Sequence, residues 1–188
     1  MRFSAVLLCG GKSTRMGRDK AFIPWEGMPL WELQLRKLQA LGAERVLVSC
    51  RAEQNVGQVF NLSAEGSSPP EFIFDPPESD DGPLGAITRC LALVNMPLLV
   101  LAVDMPWMTE AFLRAEVLRG GFFRGAHGYE ALCAVYEPAM LPVMEKALRE
   151  RHLSMQRVIG SACVVTRGIT AEQEGFFRNA NEPSELAP

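Results

Sequence analysis

The chain has 188 residues, near the size of one domain, and its 48% hydrophobic and 22% charged side chains are the balance of an ordinary soluble globular protein. A formal net charge of −3 gives no electrostatic reason to expect nucleic-acid binding. No apolar run reaches the length of a membrane span and the start MRFSAVLLCGG has no signal-peptide pattern, so a cytoplasmic protein with a single domain over residues 1–188 is expected, with no membrane partner.

Residues 6–9 form a short, continuously apolar run that predicts a buried strand, ended by Gly10 and Gly11. Lys12, Arg15, Arg18 and Lys20 then supply cations, with Ser13 and Thr14 as hydroxyl donors or a helix N-cap beside them. This combination describes an anion site. A helix N-terminus offers roughly half a unit of positive charge, so the surplus of Lys and Arg points to a polyphosphate. The tetrapeptide GGKS supplies the end of a P-loop pattern, but the position five before Gly11 is Val6, inside the strand, and the P-loop fails. The dinucleotide fingerprint fails as well, because Lys12 occupies its second glycine.

Pro29 is placed for the first position of a helix carrying Leu30, Leu33, Leu38 and Leu41 and stopped by Gly42. Residues 44–50 predict a strand covered on both faces, so strand, helix and strand make a parallel crossover. A short helix is expected over 54–62 and a surface loop over 63–71. Residues 72–74 predict a strand ending at Asp75, and Gly82 opens a helix running to about Val94. Residues 97–103 are the clearest buried strand, stopping at Asp104. That carboxylate either caps the next helix or works in the crevice where open α/β sheets bind ligands, and Thr109 is the better N-cap for a helix over 110–118. A strand over 132–136, helices over 138–151 and 154–159, and a last strand over 162–166 complete the pattern. The alternation predicts an α/β protein, a three-layer α/β/α sandwich around a mostly parallel central sheet. Five cysteines, odd in number and mostly within apolar runs, read as reduced core residues, and neither His127 nor His152 has a second ligand at zinc-binding spacing.

The stretch LLCGGKSTRMGRDK resembles the N-terminal signature of the molybdenum cofactor guanylyltransferases, the MobA-like nucleotidyltransferases, L-A-G-G-x-S-x-R-M-G-x-D-K; the one misfit is Cys9, where that family has alanine. Asp75, the turn Gly82-Pro83-Leu84, Asp104-Met105-Pro106 and the tail from Asn179 to Leu186 fall where the family has its other marks. The resemblance implies a Rossmann-like nucleotidyltransferase fold and a Mg²⁺-dependent transfer of GMP from GTP to molybdopterin or molybdenum cofactor, releasing pyrophosphate. It implies GTP contacts from Leu8, Cys9, Gly10, Gly11, Lys12, Ser13, Lys20, Ser49, Asp75, Gly82, Pro83, Leu84 and Asp104. Arg15, Lys20 and Asp104 would be catalytic, with Asp104 holding the metal and Asp75 supporting either the metal or the nucleoside. Asn179 and Asn181 would orient the second substrate, although turn formation before Pro183 is an equal reading. Cofactor-biosynthesis proteins and molybdoenzyme chaperones are the implied protein partners. Departures from the family pattern fall at Ser49 for asparagine, Ala86 for glycine, Glu130-Ala131 for Q-P or H-P, and Glu182 for threonine. They keep open a non-catalytic nucleotide- or cofactor-binding protein; a cytidylyltransferase or sugar-phosphate nucleotidyltransferase of the same fold is the enzyme alternative, against which the resemblance sets the paired Gly10 and Gly11.

Overall fold

The computed structural model describes residues 1–10, 19–54 and 69–180. Its first apolar run is strand β1 (Ser4–Leu8), buried at every position, as a central strand packed on both faces must be. A 3₁₀ turn at Lys20–Phe22 leads to a two-residue hairpin of β2 (Pro24–Trp25) and β3 (Met28–Pro29). Helix α1 (Leu30–Ala40) follows, with Pro29 as its N-cap. The sequence puts Pro29 one position later, inside the helix; its ψ of 145° is extended because it is the last residue of β3.

Strand β4 (Val46–Cys50), β5 (Glu71–Phe74), helix α2 (Gly82–Val94) and β6 (Leu98–Ala102) come next, then α3 (Glu110–Ala115). Glu71, expected in a loop, is the first residue of β5, where its carboxylate pairs with Arg45 at 2.6 Å. Thr109 is the N-cap of α3 as expected, its hydroxyl accepting from Phe112 N at 3.2 Å. The helix expected over 110–118 is α3 and a separate 3₁₀ turn, Val117–Arg119.

Five strands form the main sheet in the order β5-β4-β1-β6-β9, where β9 is Cys133–Tyr136. The first four are parallel and β9 runs antiparallel to β6. Successive side chains point to opposite faces, and two cores result. Leu7, Val48, Leu99, Leu101 and Val135 pack with α1 and α3 on one face. Val6, Leu47, Leu98, Val100 and Tyr136 pack with α2, α4 (Leu141–Arg149) and α5 (Met155–Ser161) on the other. The three-layer arrangement expected from the sequence is the one observed.

A second, three-stranded sheet was not expected. It has the order β10-β7-β8, from Thr166–Gly168, Phe122–Gly125 and Gly128–Tyr129, and Gly121 bridges it to Val135 of β9. The strand predicted over 162–166 therefore overlaps β10 only at Thr166. The helix predicted over 138–151 divides into a 3₁₀ turn, Pro138–Met140, and α4. Of the helix predicted over 54–62, Gln54 ends a 3₁₀ turn, Ala52–Gln54, and the remainder lies outside the described residues. Four cysteines are buried and free, but Cys163 is exposed, so the core expectation fails for that residue.

Candidate active site

In a doubly wound sheet, ligands bind beyond the carboxyl ends of the strands, where the direction of winding reverses. Here the chain passes outward from β1 to β4 and β5, then returns to place β6 on the other flank of β1. The switch point lies between the ends of β1 and β6. Leu8 O accepts from Val103 N at 3.1 Å, which joins these two ends directly. Asp104 follows immediately, and Lys20 reaches it from the segment after β1, Nζ to Oδ2 at 3.2 Å. Each of these side chains is about one-fifth exposed, 19% and 22%. A cation and a carboxylate 84 positions apart in sequence thus meet at one crevice.

The approach of Lys20 is fixed by Asp19, whose carboxylate caps the 3₁₀ turn by accepting from Ala21 N at 3.1 Å. The same carboxylate accepts from Gln54 Nε2 at 2.5 Å and Arg51 Nη2 at 3.4 Å. Gln54 also donates to Cys9 O at 3.0 Å, so one amide ties the end of β1 to the residue before Lys20. Leu8 and Cys9 are buried, and Cys9 N donates to Ser49 O at 2.8 Å. Of the five described residues of that leading motif, Leu8, Cys9, Gly10, Asp19 and Lys20, only Gly10 is exposed.

Asp75 continues β5, its N donating to Cys50 O at 2.9 Å. Its Oδ1 accepts from Arg89 Nη2 on α2 and from the buried Ser49 hydroxyl at 3.4 Å. Its Oδ2 lies over Gly10, 2.9 Å from where a Cβ would stand. Any side chain at Gly10 would displace that carboxylate. Gly82 and Pro83 open α2 at the same end of the sheet, and Leu84 is fully buried in the core behind them. Arg151 holds the preceding loop by donating to Asp81 at 2.6 Å and Asp80 at 2.5 Å.

The segment after Asp104 is pinned by α1. Gln34 Nε2 donates to Met105 O at 2.6 Å, and Lys37 Nζ donates to Pro106 O at 2.9 Å and Met108 O at 2.8 Å. Burial lowers the Lys37 ammonium to about 8, partly opposed by Glu26. From the other direction, Ala180 N donates to Asp104 O at 2.8 Å, bringing the neighbouring, exposed Asn179 beside the crevice. Trp25 and Trp107 meet edge to face at 5.3 Å, with Arg178 over the Trp107 ring at 4.5 Å.

The structure therefore brings Gly10, Lys20, Ser49, Asp75, Gly82, Pro83, Asp104 and Asn179 to the carboxyl end of the sheet. Gly11, Lys12, Ser13, Arg15 and Asn181 lie outside the described residues. Leu8, Cys9 and Leu84 are walls, because their side chains are in the core. Sequence reasoning missed Arg89, Gln54, Gln34 and Lys37; each is an ordinary polar side chain on a helix or turn, and only its distant partner shows its part. Burial raises the Cys9 thiol well above its usual value and Cys50 to about 11, so neither is a thiolate at neutral pH. Among the described residues no cluster of three or more His, Cys, Asp or Glu side chains could hold a metal. The donor set is one partly exposed carboxylate at a strand end, which fits a hard cation that takes its other ligands from substrate phosphates and water.

An open, mostly parallel sheet with a cation, a carboxylate and an exposed glycine at its switch point is the arrangement of a nucleotide-handling α/β enzyme. The MobA-like NTP transferase domain model matches residues 5–168, and the chain belongs to that family of nucleotidyltransferases. It is 34% identical over 167 residues to a probable molybdenum cofactor guanylyltransferase of Opitutus terrae, covering 84% of this chain and 78% of the relative. It is 28% identical over 198 residues to the molybdenum cofactor guanylyltransferase of Xanthomonas euvesicatoria, covering 97% and 92%. The structure of molybdopterin-guanine dinucleotide biosynthesis protein A from Archaeoglobus fulgidus superposes with a TM-score of 0.71 at 22% identity, covering 97% of this chain and 94% of that one.

Proposed function

We propose that the chain transfers GMP from GTP to the terminal phosphate of molybdopterin or its metal-loaded form, giving the guanine dinucleotide cofactor and pyrophosphate. The observation that carries this reading is the meeting of Lys20 and Asp104 at 3.2 Å on the switch point of the sheet. The names of the relatives support guanylyl transfer as the reaction.

The attacking group is a phosphate monoester, whose second pKa is about 6, so it is anionic at neutral pH and needs no general base. Catalysis is then positioning and charge neutralisation along an in-line path. Lys20 binds the triphosphate and Gly10 lets it approach the backbone, with Gly11, Lys12, Ser13 and Arg15 of the same motif contributing amides, a hydroxyl and charge. Asp104 would hold Mg²⁺, which when bound would supply positive charge to neutralise the triphosphate and the departing pyrophosphate. Asp75 supports the nucleoside: its Oδ1 is held by Arg89 and Ser49, which leaves Oδ2 to accept from the base or the sugar. Ser49 acts through Asp75, since its own side chain is 1% exposed. Gly82 and Pro83 border the nucleoside side of the crevice, and Asn179 and Asn181 border the second substrate.

No helix among the described residues is long and apolar enough to cross a membrane, and a GTP-dependent enzyme with free cysteines suits the cytoplasm. The test is incubation with labelled GTP, Mg²⁺ and molybdopterin. Guanine dinucleotide with stoichiometric pyrophosphate is the expected product; a preference for CTP, or binding without turnover, would overturn the assignment.

A further inference from the structure

Arg89 is a long cation on α2 whose partly exposed side chain reaches Asp75. Gly85 lies one turn earlier on the helix, and a Cβ there would come within 3.2 Å of Arg89 Nη1 and 2.5 Å of Asp81 Cβ. Arg89 Nε is buried and has no partner among the described residues. What the contact does accomplish is directional. Arg89 and the Ser49 hydroxyl both address Oδ1 of Asp75, and Oδ2 is left over the exposed Gly10, at the mouth of the crevice.

An ionised carboxylate oxygen accepts hydrogen bonds and donates none. The Watson–Crick edge of guanine presents N–H donors at N1 and N2, whereas adenine places an acceptor at N1. An acceptor held against that edge therefore separates the two bases, and one free to swing away loses its contact with either.

We infer that Arg89 is a positioning residue for base selection, holding one oxygen of Asp75 so that the other is presented to the donor edge of a guanine. This rests on the reading that Asp75 faces the nucleoside. The dissociation constants of GTP, ATP and inorganic tripolyphosphate, all with Mg²⁺, test it in wild type, Arg89→Ala, Arg89→Lys and Asp75→Ala.

In Arg89→Ala the preference for GTP over ATP falls by about tenfold, the discrimination of one charge-assisted hydrogen bond, while tripolyphosphate binding stays unchanged. KM for GTP rises and kcat at saturation is kept; Arg89→Lys, still cationic, recovers part of the preference. If Arg89→Ala does not fold, Arg89→Gln and Arg89→Lys make the same comparison. Equal weakening of GTP and tripolyphosphate would overturn the inference, because it marks a general electrostatic or structural role. Retention of the preference in Asp75→Ala would overturn the nucleoside reading itself. Loss of the preference there, with retention in Arg89→Ala, would overturn the role of Arg89 alone.

Discussion

Lys20 and Asp104 face each other in a crevice where both keep some solvent. A pair in that position adds little to folding stability, about 0–1 kcal/mol. The same ammonium pressed against a triphosphate is worth more, since charge-assisted hydrogen bonds contribute roughly 1.5–3 kcal/mol. Lys20→Ala is therefore expected to raise the GTP dissociation constant by about 10- to 100-fold with a melting temperature within ~2 °C of wild type. Calorimetric titration and a thermal melt measure the two, and an unaltered dissociation constant would remove Lys20 from the nucleotide site. Both residues were legible in the sequence, since a lysine after a glycine turn and an aspartate ending an apolar strand carry local signals. Arg89 was not, because one arginine on an amphipathic helix looks like a solvated position until Asp75, 14 residues back, is seen beside it.

Helix α1 shows what periodicity conveys and what it omits. Leu30, Leu38 and Leu41 were readable from the spacing and are buried, whereas Leu33, read with them, is half-buried and the fully buried Leu35 of the inner face was not singled out. Gln34 on the same face is also fully buried, and with Lys37 it holds the carbonyls that follow Asp104. Those carbonyls lie 69 to 71 positions away, a separation that periodicity within a helix does not report. Because Lys37 falls to about 8 in the folded protein from an unfolded value near 10.5, the unfolded state binds more protons between those limits. Stability from this group is thus lost as pH falls toward 8 and recovered as pH rises toward 10.5. Denaturant unfolding of wild type and Lys37→Met across that range should show wild type gaining relative to the variant with rising pH; a constant difference would contradict the burial of a charged Lys37. The small β7, β8 and β10 sheet escaped prediction for a different reason. Its strands are two to four residues long and flanked by glycines at 120, 121, 125 and 128, so turn signals overlie any alternation.

For the whole molecule, the three layers were legible because buried parallel strands and covering helices leave strong, separate hydrophobic patterns. The crevice followed from topology, once strand order put the ends of β1 and β6 side by side. Thiol chemistry reports on that packing directly. Cys9, Cys50, Cys90 and Cys133 are buried while Cys163 is exposed, so an aromatic disulfide reagent should titrate one thiol in the native protein and five after denaturation. Several fast native thiols would contradict the core arrangement.

The central claim is that Lys20 and Asp104 serve one metal-bound triphosphate, and the Mg²⁺ dependence of GTP binding in wild type and Asp104→Ala tests it most directly. Mg²⁺ should tighten GTP binding by wild type and leave Asp104→Ala unaffected, with Lys20 still supporting metal-free binding in both. The same Mg²⁺ enhancement in the two proteins would contradict it.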